Sequence, residues 1–190
     1  MNMKSFIIFI IIILINVACS KKDEKTSLIT EKNLELQVLE AYREGMEALE
    51  SGDVLFAAKK FNEAEILFPQ SIWAPKSALM AAYSYYTQDY YGDAVAELER
   101  YKRIYPKNKN LDYVNYLLGI SYYEQIVDEK KDLQSIIKAK KTFQIVLNKY
   151  PNSEYALDAE FKIDLIDDIL AAKEMYIGRY YFEKKNGYQL

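Results

Sequence analysis

Four residues, recurring twice along the chain, constrain it more than any other feature. Ala57, Phe61, Ala64 and Pro69 are followed 37 residues later by Ala94, Leu98, Tyr101 and Pro106. The pattern returns 45 residues further on, at Ala139, Phe143, Val146 and Pro151. A second set, Gly45, Ala82 and Gly119, keeps the step of 37 throughout. The third unit therefore carries eight extra residues between its halves, around Asp128-Glu129-Lys130-Lys131-Asp132. Insertions in repeats fall in loops, so the misfit supports a repeat.

The unit is clearest from Trp73 to Pro106. Leu79, Ala82, Tyr83, Tyr85 and Tyr86 lie three and four residues apart, as do Ala94, Leu98, Tyr101 and Ile104. Each set makes one apolar helix face. Gln88 to Asp93 supplies the turn, and Asp93 is expected to cap the second helix. In the first unit, Val38, Leu39, Tyr42, Met46 and Leu49 line a helix that Ser51-Gly52-Asp53 ends, with Asp53 capping the next. Pro69, Pro106 and Pro151 stop the second helices, and Ser71, Asn108 and Ser153 follow as caps. Beyond Ser153 two further helices are expected. One is a long one through Tyr155, Ala159, Ile163, Ile166 and Leu170; the other spans about Glu174 to Lys185. Asn186-Gly187-Tyr188 then reads as a turn without the helix that should follow, so a truncated chain or a fragment is expected.

With 190 residues and 51% hydrophobic content, the chain can bury a core. A formal charge of −3 gives no electrostatic footprint for nucleic acid. There is no histidine and a single cysteine, which excludes an intrachain disulfide and leaves no set for a zinc site or a histidine-based nucleophile. No cofactor, metal ligand set or catalytic residue is expected.

That cysteine, Cys19, follows a short positive segment (Met1 to Lys4) and an apolar run from Phe6 to Ile15. About 20 apolar residues are needed to span a bilayer, so the run is a signal peptide rather than an anchor. Val17-Ala18-Cys19 resembles a bacterial lipoprotein signal, which implies cleavage before Cys19 and acylation of its sulfur. Asn16 stands where that class usually has leucine, and an ordinary secretory signal with an incidental cysteine is the alternative. Each buried methylene of an acyl chain contributes ~0.8 kcal/mol, so two or three chains would hold the protein on a membrane. Ser20, where aspartate would signal inner-membrane retention, implies the outer membrane, periplasmic face. The expected organisation is a signal peptide at 1–18, a flexible polar tether at 19–33 and repeats at about 34–69, 72–106 and 109–151, with a partial fourth at 153–190.

Gly45, Ala57, Phe61, Ala64 and Pro69 resemble the tetratricopeptide repeat. Ala82, Tyr85, Ala94 and Pro106 match it in the second unit, and Gly119, Tyr122, Ala139, Phe143 and Pro151 in the third. The fold class this implies is all-α, a tetratricopeptide-repeat superhelix (α-solenoid) of three full repeats and a partial fourth. Further stretches are similar to the BamD family of outer-membrane assembly lipoproteins. They are Ala64-Glu65 through Phe68-Pro69, Leu111-Asp112-Tyr113-Val114 with Gly119, Tyr150 to Tyr155, and Lys173 to Tyr181. This resemblance implies a non-catalytic scaffold in the assembly of β-barrel proteins. Its partners would be the insertase BamA, other barrel-assembly components and the C-terminal segments of unfolded outer-membrane proteins. Another tetratricopeptide envelope lipoprotein, of pilus biogenesis or cell division, is the alternative.

In such a solenoid the inner surface binds. Its residues here would be Tyr42, Met46, Leu49, Leu79, Tyr83, Tyr86, Tyr116, Ile120 and Tyr123, with Tyr42, Tyr83, Tyr86, Tyr116 and Tyr123 as the peptide-binding candidates. Tyrosine offers a large apolar face and a polar tip at low entropic cost. The alternative is that these rings only pack between helices. The joint abundance of Lys, Ile, Asn and Tyr also points to an AT-rich genome rather than to selection for binding. Asp158, Glu160, Asp164, Asp167 and Asp168 gather acids on one helix beside Lys162; a solvated face is the simplest reading, as it is for Lys138, Lys140 and Lys141.

Overall fold

The computed structural model describes residues 24–126 and 133–186; Cys19, the signal peptide and the acidic-basic insertion at Asp128 to Asp132 lie outside them. The chain divides into two units, Met1–Leu36 and Gln37–Leu190. Seven helices run through the described residues: α1 Glu24–Glu50, α2 Val54–Leu67, α3 Trp73–Tyr86, α4 Tyr91–Ile104, α5 Leu111–Glu124, α6 Leu133–Lys149 and α7 Ala156–Asn186. In the second unit each helix from α2 onward packs on the next in sequence. This is the all-α stacking of helix pairs that the repeat implies.

The repeated residues occupy equivalent, solvent-free junctions. Ala57, Ala94 and Ala139 are all fully buried, as are Phe61, Leu98 and Phe143 four residues on. The small residues opposite them have a steric reason. A Cβ on Gly45 would come within 2.9 Å of the Phe61 ring, and one on Gly119 within 2.7 Å of Phe143. Where the second unit has Ala82 in place of glycine, it has Leu98 in place of phenylalanine, and both sit in one core cluster. Small and large thus trade volume at a junction of constant width.

The stops repeat as well. Phe68-Pro69, Tyr105-Pro106 and Tyr150-Pro151 each open a turn closed by the backbone N–H of Ser71, Asn108 or Ser153 donating to the aromatic residue's carbonyl. Proline fixes φ at the second position of such a turn. The side chains of Ser71, Asn108 and Ser153 then accept from the N–H of Ala74, Asn110 and Tyr155, respectively. Asp53 caps α2 by accepting from the Phe56 N–H, and Gly52 supplies the positive φ of 84° that ends α1.

Three expectations change. Asp93 does not cap α4: the helix begins at Tyr91 without a side-chain cap, and Asp93 lies in its first turn. Its charge still favours the helix N-terminus there. The two helices expected after Ser153 are one, α7, 31 residues long. Ala171-Ala172-Lys173-Glu174-Met175 is made of strong helix formers, and the lone Gly178 costs about 1 kcal/mol, too little to break it. Helix α1 begins at Glu24, inside the segment read as tether, since no glycine or proline interrupts Glu24 to Glu44.

Candidate functional site

Helices α3 and α5 each place tyrosines one turn apart, and α7 opens beside another. Tyr83 and Tyr86 on α3 lie 6.5 Å apart, centroid to centroid, and Tyr86 reaches Tyr91 of α4 at 5.9 Å. On α5, Tyr116 stacks on Tyr155 at 4.9 Å with planes 24° apart, while Tyr113 meets the same ring at 5.2 Å. Tyr116 also packs 6.3 Å from Phe143, and its hydroxyl donates to Asp158 Oδ2 at 2.7 Å. Tyr83, Tyr86, Tyr113, Tyr116 and Tyr155 are all half-buried: their inner edges join the core and the rest meets solvent. Adjacent aromatic faces in such geometry form a surface rather than a closed core.

Burial and neighbouring hydroxyls and carboxylates act on these phenols together. Burial first, then the nearby Tyr83 and Tyr155, pushes Tyr113 up to about 12. Tyr155 rises to about 12, through burial and its bond to Glu154. Tyr116 is raised further by burial and by the Asp158 carboxylate that accepts its proton. At neutral pH Tyr113, Tyr116 and Tyr155 are therefore neutral donors with apolar faces.

The candidates of the sequence reading do not form one set. Tyr83 and Tyr86 touch each other, and Tyr86 is near enough to Tyr116 to help raise its pKa. Tyr123 stands at the far end of α5, under the Lys162 ammonium at 4.9 Å. Tyr42 belongs elsewhere: it sits against Phe61 at 5.2 Å and Trp73 at 5.1 Å, with the Lys76 ammonium 5.0 Å from its ring and 4.6 Å from that of Trp73. Leu79 and Ile120, read as inward-facing, are buried. Tyr113 and Tyr155 join the cluster although neither was a candidate. Tyr113 is three residues before Tyr116 on the same helix, which is the signal that finds it. Tyr155 precedes α7 and is placed by the turn after Pro151, which no periodicity reports.

The acidic helix face is dispersed by its partners. Asp158 accepts from Tyr116, and Asp167 pairs with Lys140; Glu160, Asp164 and Asp168 face solvent. Among the described residues no group of acids is arranged to hold a metal ion, and no helix is long and apolar enough to cross a membrane. Lys138 lies over the Tyr122 ring at 5.3 Å and Lys141 is exposed.

A family model described as an outer membrane lipoprotein, YfiO, matches residues 35–189. The chain is 39% identical over 172 residues to the outer membrane protein assembly factor BamD of Caulobacter vibrioides, covering 90% of this chain and 55% of that protein. The BamD of Rickettsia prowazekii is 34% identical over 168 residues, covering 88% of this chain and 64% of its own length. That of Neisseria gonorrhoeae is 30% identical over 171 residues, with 85% and 63% covered. The chain thus spans between half and two thirds of the relatives it matches.

Proposed function

The chain belongs to the YfiO family of outer membrane lipoproteins, and we propose that its tyrosine cluster docks extended, aromatic-rich segments of unfolded outer-membrane β-barrel proteins. On this reading the protein is a non-catalytic scaffold in their assembly and insertion. The observation that carries it is two sets of touching, half-buried rings, Tyr83 with Tyr86 and Tyr155 with Tyr113 and Tyr116, near enough for Tyr86 to act electrostatically on Tyr113 and Tyr116. A barrel segment in extended form presents side chains alternately to two sides, so every second residue can lie on such a face. The ring faces supply contact area and the hydroxyls reach the segment's backbone, with few rotamers to freeze. The relatives' description as outer membrane protein assembly factors supports the same role.

Acylation of Cys19 would hold this scaffold at the periplasmic face of the outer membrane, where such segments arrive. BamA and other barrel-assembly components are the partners this places nearby. The test is binding of a barrel protein's C-terminal peptide to the full chain and to a Tyr83→Ala, Tyr116→Ala variant. Truncating two contacting aromatic rings costs about 2–3 kcal/mol, a loss in affinity of roughly 30- to 150-fold. Unchanged affinity, with the variant still folded by circular dichroism, rules the docking surface out.

A further inference from the structure

A half-open cavity of about 220 Å³ lies where α4, α5 and α6 meet, lined by Lys102, Leu111, Asn115, Ile145, Lys149 and Tyr150. None of these residues belongs to the tyrosine cluster. Lys102 is half-buried, and no ion pair within 4 Å reaches it or Lys149 among the described residues. Burial lowers the Lys102 pKa; the Glu99 carboxylate one turn earlier on α4 opposes it, and the Lys149 ammonium adds a smaller lowering. Two like charges at the rim of one cavity repel each other unless an anion sits between them.

The preceding junction supplies the comparison. By the repeat's own steps, Lys102 stands 37 residues after Glu65, Asn115 37 after Ala78, Ile145 45 after Arg100 and Tyr150 45 after Tyr105. In that junction Glu65 is 6% exposed and accepts two bonds from Arg100, at 2.6 and 3.0 Å, and one from the Tyr105 hydroxyl at 2.7 Å. A carboxylate thus fills the space, held by a cation and a tyrosine. One repeat later only the tyrosine keeps its position, and both the carboxylate and its arginine are gone. Lys102 takes the acid's place, Ile145 takes the arginine's, and Ala78 gives way to Asn115, whose buried Oδ1 has no hydrogen-bond partner. The cavity is what this exchange leaves.

We propose that this cavity binds a carboxylate carried by a polypeptide, received between Lys102 and Lys149 with the Tyr150 hydroxyl as a further donor, while a backbone N–H of the same polypeptide donates to the unpaired Asn115 Oδ1. The apolar wall of Leu111 and Ile145 takes the methylenes that carry the carboxylate, which favours an acidic side chain or a chain end over a bare phosphate. The site is separate from the tyrosine cluster and does not rest on that cluster's role.

The experiment measures two probes on the full chain by isothermal titration. One is a capped tripeptide with a central glutamate, and the other a capped dipeptide of leucines with a free C-terminal carboxylate. The corresponding amides and inorganic phosphate are the controls. At least one carboxylate probe binds and its amide does not; which of the two binds distinguishes side chain from chain end. Lys102→Met lowers that affinity about tenfold or more, the equivalent of one charge-assisted hydrogen bond. A double variant, Lys102→Glu with Ile145→Arg, rebuilds the Glu65–Arg100 pair in this junction, so it stays folded and no longer binds either probe. No binding of either carboxylate probe, equal binding of the amides, unchanged affinity in Lys102→Met, or tighter binding of phosphate than of the carboxylates each overturns the proposal.

Discussion

Gly119 has no side chain because the Phe143 ring occupies the space one would need. Its Cβ would lie 2.7 Å from that ring, and Phe143 is fully buried, with no room to retreat. Gly119→Ala gains about 1 kcal/mol of helix propensity and loses about 1–3 kcal/mol to overpacking, so the net change is destabilising by up to about 2 kcal/mol. Adding Phe143→Leu recovers part of that loss, because it reproduces the combination of Ala82 with Leu98. Denaturant unfolding of the two variants checks this, and a stabilised Gly119→Ala contradicts it. These residues were readable from spacing alone, since volume at a repeated junction leaves a repeated composition. The Glu65–Arg100–Tyr105 network was not. Glu65 resembles any helix-surface acid in the sequence, and only the packing of α2 on α4 shows that it is 6% exposed. The tyrosines fall between these cases. Helical spacing put Tyr83 and Tyr86 one turn apart on α3, where their rings lie 6.5 Å apart. It could not separate Tyr42, which the Phe61, Trp73 and Lys76 contacts draw into another cluster.

At the scale of elements, prolines and their following caps set boundaries that the sequence states outright. Pro69, Pro106 and Pro151 each end a helix, and Ser71, Asn108 and Ser153 each tie the turn that follows. Boundaries without a proline were less legible. Nothing in the sequence distinguishes a fresh helix at Glu174 from the continuation of α7, because propensity is high across both. Nor did Asp93 announce that Tyr91 would begin α4. The two halves of α7 nevertheless differ in what holds them. Ala156, Ala159 and Ile166 are buried against the core, whereas Met175, Tyr176, Tyr180, Tyr181 and Phe182 are all at least half exposed. Local opening costs least where few apolar contacts form. Amide exchange is therefore predicted to slow across Ala156 to Leu170 and to run about tenfold faster from Glu174 onward. Uniform protection along α7 would contradict this.

Across the whole molecule, a lipid attachment and a recognition surface are two separate demands on one chain. The proposed lipid attachment rests on Cys19. Cys19→Ala removes the only thiol available for acylation, and the prediction is release of the protein from the membrane fraction into the soluble periplasmic one. Retention with the membranes would leave the anchor to another part of the chain. The proposed recognition surface lies on stacked helices that pair Tyr83 with Tyr86 on α3 and set Tyr113 and Tyr116 of α5 against Tyr155, just before α7, and it carries the functional reading. The most direct measurement places a photo-crosslinking amino acid at Tyr86, inside the cluster, and, for comparison, at Leu55 on α2, which is 55% exposed. In cells exporting a β-barrel protein, position 86 should crosslink to the unassembled barrel chain and position 55 should not, and an excess of aromatic C-terminal peptide should suppress the product in membrane extracts. Equal yields at the two positions, or a yield at 86 that the peptide leaves unchanged, would contradict docking at the tyrosine cluster.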